Sequence, residues 1–452
     1  MTRTFKTADY EKTLDKQISI REALSANHLA YFVVDVVSQL DLSALYGRYG
    51  PLGAPAYAPE VMLGLLFYGY ATGVFSARKM ERATYELLPF RFIAGDMHPD
   101  HDTIAAFRKE NLAELKDLFV QILLMAQTFG YLQLGKVSLD GSKIHADASK
   151  SKAMSYRRLL AVEAYLQQEV EELFALAEAA EAGVLAPGLD VADEIARRQE
   201  RLVRLAEARQ VLEARARAHD EVERAAYEAK LREREEKAAK KGQKPRGGKP
   251  QPPTPGPRDK DQYNFTDPES RIMKNATNKG FDQHFNVQVV VEHESRLIVA
   301  ACLSNEPNDK QLALPTIDSV PMEIGKPESA NLDTGYFSQD NVAGLEARQI
   351  EPYIATGRHP HQHSWRALFA AEPTPPTAHA SATEKMAYKL RTDIGNAIYR
   401  LRKSTVEPVI GIIKEILGFR QFSLRGLTNA AGEWTLVCLA YNLKRMHVLK
   451  TA

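Results

Sequence analysis

Three acids in this chain stand where an acid is costly unless it does chemistry. Asp140 ends the apolar run Val137-Ser138-Leu139 and is followed at once by Gly141. A carboxylate closing a buried strand loses hydration that only a partner or a cation restores. Asp333 has the same setting, with Leu332 before it and Gly335 just after. Glu407 differs: at helical spacing it shares a face with Arg400, Lys403 and Lys414, and Val406, Val409, Ile410, Ile413 and Leu417 form the opposite face. Each acid alone has a bland reading. An Asp before Gly is ordinarily a turn residue, and one Glu among cations is ordinarily a surface ion pair of small value. Together they are also the parts of a metal-bound phosphodiester site. Carboxylates would hold divalent cations, and Arg and Lys would neutralise a nucleic-acid strand. Lys143, His145 and Asp147 extend a polar face beyond Asp140; His145 reads equally as structural or functional.

The acids are far apart in sequence, so a fold must gather them. The run 284–292 and the run 297–303 read as strands joined by the short connection His293-Glu-Ser-Arg296. A short helix with Leu312, Leu314 and Ile317 follows, then the strand before Asp333. Next come a helix capped by Ser338 and a strand at 350–355. The order predicts an α/β core, a mixed sheet flanked by helices, with basic helices from Lys385 onward.

Residues 1–132 read as an all-α N-terminal domain for DNA binding or assembly. Leu29, Phe32, Val33, Val36, Val37 and Leu40 recur at helical steps, and Pro59 opens a second, almost wholly apolar helix. Ser76 is placed to cap a third, with Arg78, Lys79 and Arg82. Asp102 or Thr103 caps a fourth, with Arg108 and Lys109, that continues through Leu115, Leu118, Phe119, Ile122 and Leu123. Basic helices of this kind enter DNA grooves; solvated cations on a packing module fit equally. Residues 87–102 read as a linker, too long for a tight helix-turn-helix.

Residues 133–150 hold the first core strand, and 151–236 interrupt the core. Leu159, Val162, Leu166, Leu173 and Leu176, then Ile195, Leu202, Leu205 and Leu212, fit heptads on either side of a Gly/Pro break at 182–188. This predicts an inserted antiparallel helical hairpin with Asp190 capping its second helix. A basic, Pro/Gly-rich linker follows at 237–262, including Lys244 and Arg246. The α/β core resumes over 263–452.

Composition excludes several classes. With 452 residues, 44% hydrophobic and 26% charged, the chain is a soluble globular protein of two or three folding units. Its net charge of +1 hides local basic clusters. Cys302 and Cys438 make neither a disulfide framework nor a zinc spacing, and read as buried thiols. No signal-peptide core and no apolar run of membrane length is present, so a cytoplasmic protein with no membrane partner is expected. His359, His361 and His363 alternate in an irregular loop and are a weak metal candidate.

With these residues in view, the chain resembles a DDE transposase of a bacterial insertion sequence, in the branch with a Tyr-Arg-Glu-Lys signature. The N-terminal resemblance is carried by Phe92, His98-Pro-Asp-His101-Asp-Thr-Ile104 and Phe107-Arg108. In the middle it is carried by Leu139-Asp140-Gly-Ser-Lys143, Asp267-Pro-Glu-Ser270 and Asp333-Thr-Gly-Tyr336. The C-terminal part is Val406-Glu407-Pro-Val409 with Lys414, Phe419-Arg420, Leu424-Arg425-Gly426-Leu427, and Trp434 through Asn442-Leu443.

The resemblance implies a ribonuclease H-like core in which Asp140, Asp333 and Glu407 are the catalytic, metal-binding triad. It implies two Mg²⁺ ions roughly 3.5 to 4 Å apart, with Mn²⁺ as a substitute. Tyr399, Arg402 or Lys403, and Lys414 would contact DNA phosphates near the cut. With two residues intervening after Tyr399 the signature cation falls on Arg402, and with three intervening before Glu407 it falls on Lys403. Arg400 and Lys143 complete the expected DNA-contacting set. The implied partners are the element's terminal inverted repeats and target DNA, held by a homodimer on the bacterial nucleoid. The implied reaction is strand cleavage at the element end, then attack of the freed 3′-hydroxyl on target DNA. Two rivals remain: a metal-dependent nuclease that cuts without joining, and a non-catalytic DNA-binding regulator derived from a transposase.

Overall fold

Apolar residues at helical spacing make the N-terminal region all-helical in the computed structural model, as α1 (Leu29–Val37), α2 (Ser43–Tyr46), α3 (Pro59–Ala71), α4 (Ala77–Glu86), α5 (Leu88–Ala94), α6 (His101–Glu110) and α7 (Glu114–Thr128). Residues 19–49, 56–181, 190–241, 248–275, 280–357, 374–377 and 379–451 are described. The expected breaks at 50–55 and 182–188, the trio His359, His361 and His363, and the linker cations Lys244 and Arg246 lie outside them.

Three expectations shift here. The linker at 87–102 contains α5, whose Pro89 sits in the first turn where a missing N–H costs nothing. Asp100 caps α6, its carboxylate accepting from the Thr103 N–H at 2.8 Å, in place of Asp102 or Thr103. The apolar stripe from Leu115 belongs to a separate helix, α7.

The chain continues as β1 (Lys136–His145), β2 (Ala153–Ser155), α8 (Tyr156–Glu181), α9 (Val191–Lys241), β3 (Gln262–Asn264), β4 (Arg271–Lys274), β5 (Phe281–Glu292) and β6 (Ile298–Ser304). It closes with α10 (Ala313–Asp318), β7 (Ser329–Leu332), α11 (Gln339–Ala347), β8 (Glu351–Ile354), α12 (Ala382–Arg391), α13 (Asp393–Ser404), α14 (Val406–Gly411) and α15 (Leu427–Thr451). Residues 1–144 with 286–452 form one compact unit, and residues 145–285 a second.

In the first unit the strand order is β6-β5-β1-β7-β8. β1 runs parallel to β7, and β7 parallel to β8; β5 and β6 are antiparallel. The His293 N–H donates to the Lys136 carbonyl, and the Ala146 N–H to the Gln283 carbonyl, so β1 and β5 also run antiparallel. Helix α15 packs on β6 and also on α1, α3 and α7. Its Asn442 side chain accepts from the Ile298 N–H (2.9 Å) and donates to the Ile298 carbonyl (2.8 Å). The helices expected as a separate domain over 1–132 therefore share one core with the sheet. Helix α3 is buried all along Met62–Ala71 as a result.

In the second unit α8 and α9 run antiparallel: Tyr156 meets Glu213, Glu163 meets Arg209, and Glu169 meets Arg198. Leu159, Leu166, Leu205, Ala208 and Leu212 form the seam between them. Asp190 caps α9 through the Asp193 N–H. Helix α9 continues to Lys241, past the expected end at 236, because only helix formers stand there. The segment expected as linker is tied down beyond it. The Gly256 N–H donates to Asp220 (2.6 Å), and Arg258 pairs with Glu223 (3.1 Å).

Candidate active site

The parallel register sets Leu139 opposite Leu332. Asp140 and Asp333 are the next residues on these neighbouring strands. β7 stops at Leu332, and Asp333 folds back to accept the Gly335 N–H at 2.7 Å. β1 does not stop. It runs through Gly141 to His145, so the expected turn after Asp140 is absent. Gly141 has another reason. A Cβ there would lie 2.3 Å from Gln288 Nε2, because the Gln288 side chain crosses that point.

Glu407 stands in the first turn of α14. Between α13 and α14 the backbone breaks at Thr405 (φ −115°, ψ −81°), whose hydroxyl donates to the Leu401 carbonyl at 2.8 Å. The break turns the end of one helix and the start of the next toward a common point. That point is Arg402. Its guanidinium forks, donating from Nη1 to Asp140 Oδ2 (2.9 Å) and from Nη2 to Glu407 Oε1 (2.9 Å). Lys403 is exposed and makes neither contact. Of the two candidate cations, Arg402 is the one whose side chain reaches the acids.

The electrostatics favour a cation. Burial pushes the Asp140 carboxyl up to about 6; Arg402 pulls it down, and Asp333 and Glu407 add to the rise. Even with Arg402 in place, the ionised cluster is short of positive charge. Oxygen donors from Asp140, Asp333 and Glu407 suit a hard divalent ion, so this donor set fits the metal that the resemblance implies. With Arg402 between them the acids are spread apart. Among the described residues, only His219, Asp220 and Glu223 bring three ligand atoms within 4.8 Å of one another.

The remaining expected contacts divide. Tyr399 is half-buried one turn before Arg402; burial raises its phenol pKa, Arg402 opposes this, and Asp333 and Asp140 add to it. Lys414, on a π-helical turn over Ile412–Ile416, donates to Ser142 Oγ at 3.0 Å, and burial lowers its ammonium pKa. Arg400, Arg78, Lys79 and Lys109 are exposed, and Arg82 pairs with Glu86 at 2.7 Å. Arg108 is a correction. It is buried, donating to the Tyr70 hydroxyl (2.9 Å) and the Phe75 carbonyl (3.1 Å) near Glu433, and presents no cation to a surface. His145 rests against the His284 ring, centroids 4.2 Å apart. Cys438 is buried and Cys302 half-buried, both as thiols.

Sequence reasoning missed the layer behind the acids. Asp309 accepts from Lys143 Nζ (3.1 Å), Asn286 Nδ2 (2.6 Å) and Gln288 Nε2 (3.1 Å). The Tyr336 hydroxyl donates to Gln288 Oε1. Lys143, expected on DNA, is thus engaged by an acid. A signal was present: His284, Asn286 and Gln288 alternate with apolar residues in a buried strand, a pattern that requires polar partners. Gly141→Ala should force Gln288 aside and cost about 1–3 kcal/mol in urea unfolding. Gln288→Ala in the same chain should recover much of that loss; no recovery would refute the steric account.

Two family models match the chain. One is described as a Transposase domain (DUF772) and matches residues 18–110; the other is a Transposase DDE domain and matches residues 373–447. The second span holds Tyr399, Arg402, Glu407 and Lys414, while Asp140 and Asp333 lie outside both. No curated protein and no solved structure matches. Among the described residues, no helix is long and apolar enough to cross a membrane.

Proposed function

We infer that this chain, a DDE transposase of the insertion-sequence type, cuts DNA at the ends of its element and joins the freed 3′-hydroxyl to target DNA. The observation that carries the reading is the convergence of Asp140 and Glu407 on one guanidinium, with Asp333 on the adjacent strand. The strand order β6-β5-β1-β7-β8, antiparallel through its first three members and parallel through its last three, supports a ribonuclease H-like core.

DDE transposase domains are generally dependent on divalent metal. Asp140, Asp333 and Glu407 would hold the ions, Mg²⁺ in our reading, which supply Lewis-acid stabilisation of the phosphoryl oxygens and an activated water. Arg402 is poised to give up its carboxylates and bind a non-bridging phosphate oxygen, for which its fork is suited. Tyr399 and Lys414 orient the strand beside it. In the first step a water oxygen bonds to phosphorus as the P–O3′ bond breaks, leaving a 3′-hydroxyl and a 5′-phosphate. In the second, that 3′-oxygen bonds to a target phosphorus as the target's own P–O3′ bond breaks. Two element ends must be held for this, which calls for a homodimer with DNA.

The test is a strand-transfer assay with the terminal repeats that flank the gene and Mg²⁺. Nicked ends and joined product are expected; cutting with no joined product would leave only a nuclease. Metal binding has a separate readout. Mg²⁺ should raise the thermal midpoint of the wild type and leave Asp140→Asn unmoved. The sign without metal is the reverse. The Asp140 carboxyl lies above its ordinary 3.8, so its stabilising contribution is full below that pH and lost as pH passes about 6. Metal-free Asp140→Asn should therefore melt no lower than wild type in alkaline buffer.

A further inference from the structure

We propose that a hollow in the second unit, where β2 meets α8 and α9, binds the phosphodiester backbone of DNA. Lys152, Arg158, Arg197, Arg201 and Arg204 line a concavity of about 590 Å³, with Phe265 at its rim. Glu200 is the one acid among its lining residues. Arg197, Arg201 and Arg204 follow one another at i, i+4 and i+7, so a single side of α9 presents them over about 10 Å of helix. Phe265, 37% exposed, offers a ring face to a base or sugar.

A long charged helix usually has a merely solvated face. On the rest of α9 that reading suffices, because acids and bases alternate there. The hollow differs in sign and in shape: five cations and one acid line a concave surface, which focuses positive potential. Arg197 pairs with Glu194 (3.2 Å) and Asp193 (3.9 Å), and Arg204 with Glu200 (2.6 Å), all within one helix and with both arginines exposed. Such pairs contribute little, so a phosphate oxygen can displace them. The ligand class rests on the proposed function, since DNA is that reaction's substrate.

The test uses the full-length protein in EDTA with a labelled duplex of arbitrary sequence, so that no cutting occurs. Each phosphate contact contributes about 0.9 to the slope of log K against log salt. The triple variant Arg197→Gln/Arg201→Gln/Arg204→Gln should lose a slope of about 2.7. Its Kd should then change on the order of 40-fold less than wild type's between about 50 and 200 mM salt. The corresponding triple Lys variant should keep the slope. So should Arg217→Gln/Arg224→Gln/Lys230→Gln, which removes exposed cations of α9 outside the hollow. The proposal is overturned if the first variant keeps the wild-type slope, if the last loses as much, or if wild type does not bind. A protein that binds this way but never cuts would refute the proposed reaction and leave the groove standing.

Discussion

Asp140→Ala, Asp333→Ala and Glu407→Ala should each bind element-end DNA and fail to cut it. The expected loss is on the order of 10³-fold or more, at or beyond what removal of one preorganised oxyanion donor costs. The acids differ in surroundings, and the accompanying effects should differ too. Asp140 is half-buried and is held by Arg402 at 2.9 Å. Its removal frees one arm of that guanidinium but takes away a carboxyl whose pKa is raised first by burial and then by Asp333 and Glu407. Glu407 is exposed, so Glu407→Ala should scarcely alter folding. Asp333 closes its turn through the Gly335 N–H, so Asp333→Asn, which keeps that acceptor, separates turn geometry from charge. Retention of DNA binding is essential to the reading, because an unfolded variant also fails to cut. An Asp333→Ala protein that still cleaves with Mg²⁺ would sink the triad.

The acids were legible in the sequence because each breaks a local pattern: two follow short apolar runs, and one stands on a basic helix. Their juxtaposition was not. It depends on Leu139 facing Leu332 across two strands remote in the chain, and nothing local encodes that register. Which of Arg402 and Lys403 reaches the acids was likewise hidden. Counting positions presumes an unbroken helix, and the backbone break at Thr405 shifts which side chain faces Glu407. Gly141 looked like a turn residue, yet its requirement comes from the Gln288 side chain in a different strand. Arg108 shows the limit of periodicity on basic helices. Spacing puts a cation on a helix, but only the partner on a distant element decides whether it faces water or core.

That partner sets the largest expected loss of stability. Glu433 on α15 is fully buried. It accepts from the Tyr70 hydroxyl at 3.0 Å and from the Ser423 and Leu424 N–H groups at 2.9 and 3.0 Å, and Ser423 Oγ donates to it as well. Arg108 Nη1 is 3.9 Å away and donates to the same Tyr70 hydroxyl. One carboxylate thus ties α3 and α6 to the turn that precedes α15. Glu433→Ala would strand the buried Arg108 charge, the Tyr70 hydroxyl and two backbone donors together. Breaking a buried pair in this way costs about 3–5 kcal/mol, which should appear as a large fall in the urea midpoint. Glu433→Gln keeps the shape and one acceptor, so it should cost less. Combining Glu433→Gln with Arg108→Met removes both charges, and the double variant should be more stable than the two single losses added. Strict additivity, or a Glu433→Ala protein within about 1 kcal/mol of wild type, would mean that the packing of α15 holds these helices without the acid.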